Sequence, residues 1–208
     1  MPAIVAPSQR KTALALLDQH GIMRLSELTA RGVDAPTLAR LVGEGLVVRP
    51  CRGLYELAGA PFEFSHSFAE VAKRVPKGVI CLISALQYHG LSLQNSGTVW
   101  LAIGLKHRKP AIIYPPVRIV RFGDRALSLG IETCVIDKVP VRITAPARSV
   151  VDCFRYRTTV GLDVALEALR MGIRSGKAKP DQIAAQARAL RIWSVIRPYL
   201  EGLLADEG

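Results

Sequence analysis

The chain has 208 residues, half of them hydrophobic, with a formal net charge of +11 and a sequence pI near 10.0. This length and apolar content suffice to bury a core, which excludes intrinsic disorder, and no apolar run approaches the roughly 18 residues of a membrane span. The excess of cations favours a polyanionic partner, either nucleic acid or an acidic protein face.

Met1 to Pro7 carries no charged leading region, so it does not read as a signal peptide, and the expected compartment is the cytoplasm. Ser8 is positioned to cap a helix running to about Gln19, with Ala13, Leu14, Leu16 and Leu17 as its apolar stripe and Gly21 as its stop. Ile22-Met23-Arg24 is short enough to pair as a strand, and Leu25 to Arg31 reads as a second short helix ended at Gly32. Asp34 then caps a third helix, Ala35 to Glu44, with Pro36 in the first turn, where a missing N–H costs little.

On a 3.6-residue wheel Leu38, Leu41 and Val42 share one face of this third helix, while Pro36, Ala39, Arg40 and Gly43 lie opposite. An outer face so small, with one long cation, can lie close against another surface. Leu46 to Arg49 and Gly53 to Leu57 read as a hairpin with arginines at its tip. The order of helix, strand, helix, turn, helix and hairpin is that of a winged helix-turn-helix, in which one helix enters the major groove and the wing reaches phosphates. Arg24, Arg31, Arg40, Arg49 and Arg52 fall on turn, outer-helix or wing positions, and with Thr37 they form the expected DNA-binding set.

Gly59-Ala60-Pro61 reads as a linker, which divides the chain into an N-terminal domain, 1–58, and a larger domain, 59–208. Residues 1–60 hold 7 Lys/Arg and 5 Asp/Glu, leaving 21 and 12 for residues 61–208, so most of the positive excess belongs to the second part. Its expected elements are a helix through Phe68 and Val75, an apolar run Val79 to Ile83 and a short helix at Ser84 to Leu91. A buried strand follows at Val99 to Ile103, then an exposed basic loop at Lys106 to Pro110.

Strands follow at Val117 to Phe122, Ile131 to Ile136 and Val139 to Ile143, the last two joined by a tight turn at Asp137-Lys138. Thr144-Ala145-Pro146 opens a helix on which Arg148 and Asp152 stand four apart, a pair worth a few tenths of a kcal/mol if exposed. Amphipathic helices are expected at Gly161 to Ser175, from Pro180, and from Ile192 to Leu204 with a kink at Pro198. The fold class is therefore α+β: an N-terminal winged helix-turn-helix and a larger α/β domain with a small, mainly antiparallel sheet and C-terminal helices.

No catalytic set stands in the sequence. G-x-S-x-G, H-E-x-x-H and the phosphate-cradling G-x-x-x-x-G-K are all missing. Glu132, Asp137 and Lys138 superficially match the acidic pair and lysine of a metal-dependent nuclease, but two of them fall in a turn where such residues are ordinary. His89, at a helix end, reads as a C-terminal dipole partner rather than a base. Cys51, Cys81, Cys134 and Cys153 are scattered and form no zinc pattern with the four histidines, so free thiols, no metal and no cofactor are expected. The chain is not expected to be an enzyme.

Read as a whole, the chain resembles the AbiEi family, the antitoxins of type IV toxin–antitoxin systems. The likeness lies in Gly21-Ile22-Met23, Leu38-Ala39-Arg40-Leu41, Gly45-Leu46-Val47 and Arg52-Gly53-Leu54-Tyr55, then in Ser84 to Leu91 and Thr144 to Asp152. The resemblance implies a protein that binds promoter inverted repeats in double-stranded DNA, represses its own operon and counters a nucleotidyltransferase-type toxin. The alternative is a winged-helix regulator whose C-terminal domain senses a small ligand. No heptad seam stands out, so a monomer is expected.

Overall fold

Ser8 and Asp34, two short polar side chains each preceding a run with helical periodicity, start the first and third helices. The computed structural model describes residues 8–59, 65–94 and 96–206. The reading of Met1 to Pro7, and that of the linker beyond Gly59, lie outside the described residues. The chain divides into two compact units: residues 1–76 with 135–140, and residues 77–134 with 141–208.

In the first unit Ser8 Oγ accepts from Lys11 N at 3.4 Å and starts α1 (Gln9–His20). Gly21 ends it at φ +64°, and a Cβ there would stand 2.0 Å from the Asp137 carbonyl oxygen, so only glycine fits. β1 (Met23–Arg24) and α2 (Leu25–Thr29) follow. Asp34 Oδ1 accepts from Thr37 N at 2.8 Å to open α3 (Ala35–Gly43). β2 (Val47–Val48) and β3 (Leu54–Leu57) form the wing, and β1 pairs antiparallel with β3, giving the sheet order β1-β3-β2.

Ala13, Leu17, Met23, Leu28, Val33, Leu38, Leu41, Val47 and Tyr55 pack into one apolar core. The wheel misplaced one residue: Val42 is 36% exposed, and Thr37 is buried in its stead. Thr37 can face inward because its hydroxyl finds a partner there, which rolls α3 away from Val42. α4 (His66–Arg74) completes the main run of this unit.

The second unit is built on a five-stranded sheet of order β6-β5-β4-β8-β7, from β4 (Val79–Ile80), β5 (Val99–Gly104), β6 (Val117–Phe122), β7 (Ile131–Ile136) and β8 (Val139–Thr144). β4 runs antiparallel to β5 but parallel to β8, and β5 runs parallel to β6. The sheet is thus mixed where a mainly antiparallel one was expected. All six residues of β5 are buried, as its unbroken apolar run requires. Asp137 and Lys138 turn β7 into β8 with φ of +49° and +63°.

Helices α5 (Leu82–His89), α6 (Pro146–Arg155), α7 (Arg157–Val160), α8 (Leu162–Arg174), α9 (Pro180–Ala189) and α10 (Trp193–Asp206) supply the rest of the core around Trp100, Phe122 and Phe154. Ala145, not Thr144, occupies the cap position of α6; Thr144 ends β8, and its hydroxyl bonds Ser149 Oγ at 2.7 Å.

Arg148 and Asp152 on α6 are both fully buried, contrary to a solvated helix pair, with Nε donating to Oδ2 at 2.9 Å. Arg148 also donates to the carbonyls of Ala126, at 3.0 Å, and Leu129, and its guanidinium lies 5.3 Å from the Phe122 ring centre. It thereby ties the segment between β6 and β7 to α6. Burial pushes the Asp152 carboxyl up to about 6, against the pull of Arg148.

Candidate nucleic-acid interface

α3 presents Pro36, Ala39, Arg40 and Gly43 on its exposed side. Three of these four are too small to hold a surface at a distance, so a groove can approach the helix backbone with Arg40 as the reaching group. Arg40 keeps its guanidinium near the helix by donating from one terminal nitrogen to Thr37 Oγ1 at 3.2 Å, leaving its other N–H groups for an acceptor pair. Hydrogen bonds from Thr37 hold the Asp34 carboxyl below the usual carboxylate range, so the cap stays ionised near neutral pH. Glu44, the acid at the end of α3, is taken up by Arg10 of α1 in an exposed ion pair.

The wing turns at Pro50-Cys51-Arg52-Gly53, with Gly53 at φ +83°. Arg49 and Arg52 are both exposed, and the Arg49 guanidinium lies 5.9 Å from the Tyr55 ring centre. Arg31 is exposed just past α2, donating to Glu27 O at 3.0 Å.

Arg24 is placed differently. Its Nε donates to Lys73 O at 2.9 Å and a second guanidinium nitrogen bonds the same carbonyl, which ties β1 to the end of α4. Lys73 Nζ in turn reaches both Glu27 carboxylate oxygens at 3.1 Å, and the Arg24 backbone N–H donates to Glu27 at 2.7 Å. Burial pushes Glu27 up, but these hydrogen bonds outweigh it and hold the carboxyl below its ordinary range.

Of the six expected residues, Arg31, Arg40, Arg49 and Arg52 thus face solvent. Thr37 sits beneath Arg40 at 4% exposure, and Arg24 braces the scaffold. Gln9, Arg10 and Lys73, which support this face, were missed from the sequence. Each acts on a residue 28 to 49 positions away, beyond the reach of any local pattern.

The nuclease-like trio is distributed among separate partners. Asp137 Oδ2 lies 2.9 Å from His66 Nδ1, Lys138 bonds the Asp18 carbonyl, and Glu132 lies 3.6 Å from His89 Nε2. His89 ends α5 with Nε2 bonded to Thr144 O at 2.8 Å, and burial lowers its pKa, as for a neutral donor to a carbonyl. No group of three or more His, Cys, Asp or Glu among the described residues could hold a metal ion. Cys81 and Cys153 are buried, and burial pushes both thiols up, away from reactivity. No helix among the described residues is long and apolar enough to cross a membrane.

Three short helices with a two-stranded wing, the third helix bare on its outer side, define a winged helix-turn-helix of the DNA-binding class. Residues 11–58 match the family model described as "Transcriptional regulator, AbiEi antitoxin", the family that the sequence resembles. Residues 11–58 are thus similar to the regulator domain of that family, which supports a DNA-binding regulator. No curated protein sequence matches it. Among solved structures, the crystal structure of the Rv2827c protein from Mycobacterium tuberculosis is similar at 15% identity and a TM-score of 0.60, covering 97% of this chain and 82% of that one. At that identity the likeness is one of fold.

Proposed function

We propose that the protein is the DNA-binding antitoxin of a type IV toxin–antitoxin system. It represses its own operon by binding promoter inverted repeats as a monomer in the cytoplasm, and it counters a nucleotidyltransferase-type toxin. Residues 1–58 bind the operator and residues 59–208 carry the antitoxin activity. The observation that supports this reading best is the display of Arg40 on the small outer face of α3, together with exposed Arg49 and Arg52 on the wing. A helix of this form fits the major groove, and wing arginines meet phosphates.

The test is binding of the purified chain to the DNA upstream of its own gene, paired with co-expression beside the neighbouring toxin-like gene. Arg40→Ala is expected to cost about 1–3 kcal/mol of specific binding and to relax sequence preference. Upstream binding that is indifferent to Arg40→Ala, or a toxic neighbour whose effect co-expression does not relieve, overturns the corresponding half of the assignment.

A further inference from the structure

The side chain beneath Arg40 is itself held from another helix. Gln9, the first residue of α1, aims Oε1 at the start of α3, where it accepts from Asp34 N at 3.1 Å and from Thr37 Oγ1 at 3.1 Å. The Thr37 hydroxyl has one proton and two lone pairs. That proton is shared between Gln9 Oε1 and the Asp34 carboxylate, and in either case a lone pair is left to accept from Arg40, as the 3.2 Å contact requires. Thr37 is 4% exposed, so a hydroxyl turned away from these partners would be costly to leave unpaired. The three side chains form a directed chain from the root of α1 to the guanidinium.

We infer that Gln9 and Thr37 are positioning residues for base readout: they fix the pose of the Arg40 guanidinium against α3 before DNA arrives. The inference rests on the reading of α3 as the helix that enters the groove. An arginine has large rotamer freedom, and ordering it on binding opposes affinity. A guanidinium already anchored at one nitrogen retains N–H donors for a bidentate contact with a base edge and has less freedom to lose. Phosphate contacts elsewhere do not depend on this pose. Loss of the relay therefore separates specificity from general affinity.

The experiment compares Thr37→Val, which keeps the shape and removes the hydroxyl, with Thr37→Ser, which restores it. The probe is the best-enriched duplex selected by the unmodified full chain from a random-sequence library, measured against a shuffled duplex of the same composition. Thr37→Val is expected to lower the ratio of selected to shuffled affinity roughly tenfold. Shuffled-duplex affinity and the urea midpoint should stay unchanged, and Thr37→Ser should recover the ratio.

Gln9→Met, which leaves Thr37 in place but removes its acceptor, should shift the ratio in the same direction and serves if Thr37→Val does not fold. A ratio unchanged in Thr37→Val and Gln9→Met, while Arg40→Ala lowers it, overturns the relay and leaves the functional reading standing. A ratio unchanged in Arg40→Ala overturns both.

Discussion

His66 in the first unit and Arg148 in the second are both buried cations with carboxylate partners, but they are buried to different degrees. The His66 ring sits between Glu56, at 3.3 Å, and Asp137, at 2.9 Å, and the Asp137 side chain is 34% exposed. Arg148 and Asp152 are wholly enclosed. In the first case water reaches the edge of the cluster and protons can exchange through it. In the second the charges answer to one another, to two loop carbonyls, to the Phe122 ring and to the charge of Arg155, out of reach of solvent. The contrast teaches that a charged cluster with a wet edge can respond to solution conditions, whereas a dry one acts as a fixed fastening.

Removing one partner of the dry pair should have the largest effect. Arg148→Met is expected to cost about 3–5 kcal/mol in urea denaturation, because it strands Asp152 and frees the Ala126 and Leu129 carbonyls. Adding Asp152→Leu to that variant should return much of the loss, since an apolar pair of similar volume replaces a desolvated ion pair. No recovery in the double variant would show that the loop carbonyls, not the ion pair, dominate.

The half-wet cluster should show itself through pH. The hydrogen bond to Glu56, opposed by burial and assisted by Asp137, raises the His66 pKa from 6.5 to about 9. Because the folded value exceeds the unfolded one, the contribution is fully present below pH 6.5 and is lost as pH rises through about 9. Solvent at the Asp137 edge screens part of it, so its size is at most of order 3 kcal/mol. Urea midpoints across that window should fall with pH, and His66→Gln should flatten the fall. An equal fall in both proteins would assign the pH dependence elsewhere.

At the exposed extreme, Arg49→Ala and Arg52→Ala should leave the urea midpoint untouched. Each is expected to weaken DNA binding across all sequences and to reduce the salt slope by about 1, as loss of a phosphate contact does. A change confined to one sequence would make the residue a base reader instead.

The local elements were legible because their signals are local. Ser8, Gly21, Asp34, Gly53 and the Asp137-Lys138 turn each mark a boundary by chemistry that acts within four residues. The relay from Gln9 was not legible, because its partners lie 25 and 28 residues away. Nor was the burial of Arg148 and Asp152, since an i, i+4 pair reads the same in water as in a core. The usable signal was the flanking sequence. Val150, Val151, Cys153 and Phe154 surround that helix with apolar side chains, as a buried helix requires. Val42 was misread for a related reason: the wheel scores hydrophobicity and cannot see that a threonine with a waiting acceptor is the cheaper residue to bury.

The first unit is discontinuous in sequence, closing with residues 135–140. Synthesis runs from the N-terminus, so the ribosome must make residues 77–134 before it supplies Asp137 to His66 and to the hollow at Gly21. The first unit is therefore finished late, after most of the larger sheet has been made, and a nascent chain stalled before the β7–β8 turn lacks its closing piece. A transcript truncated before codon 135 cannot yield this unit in its complete form.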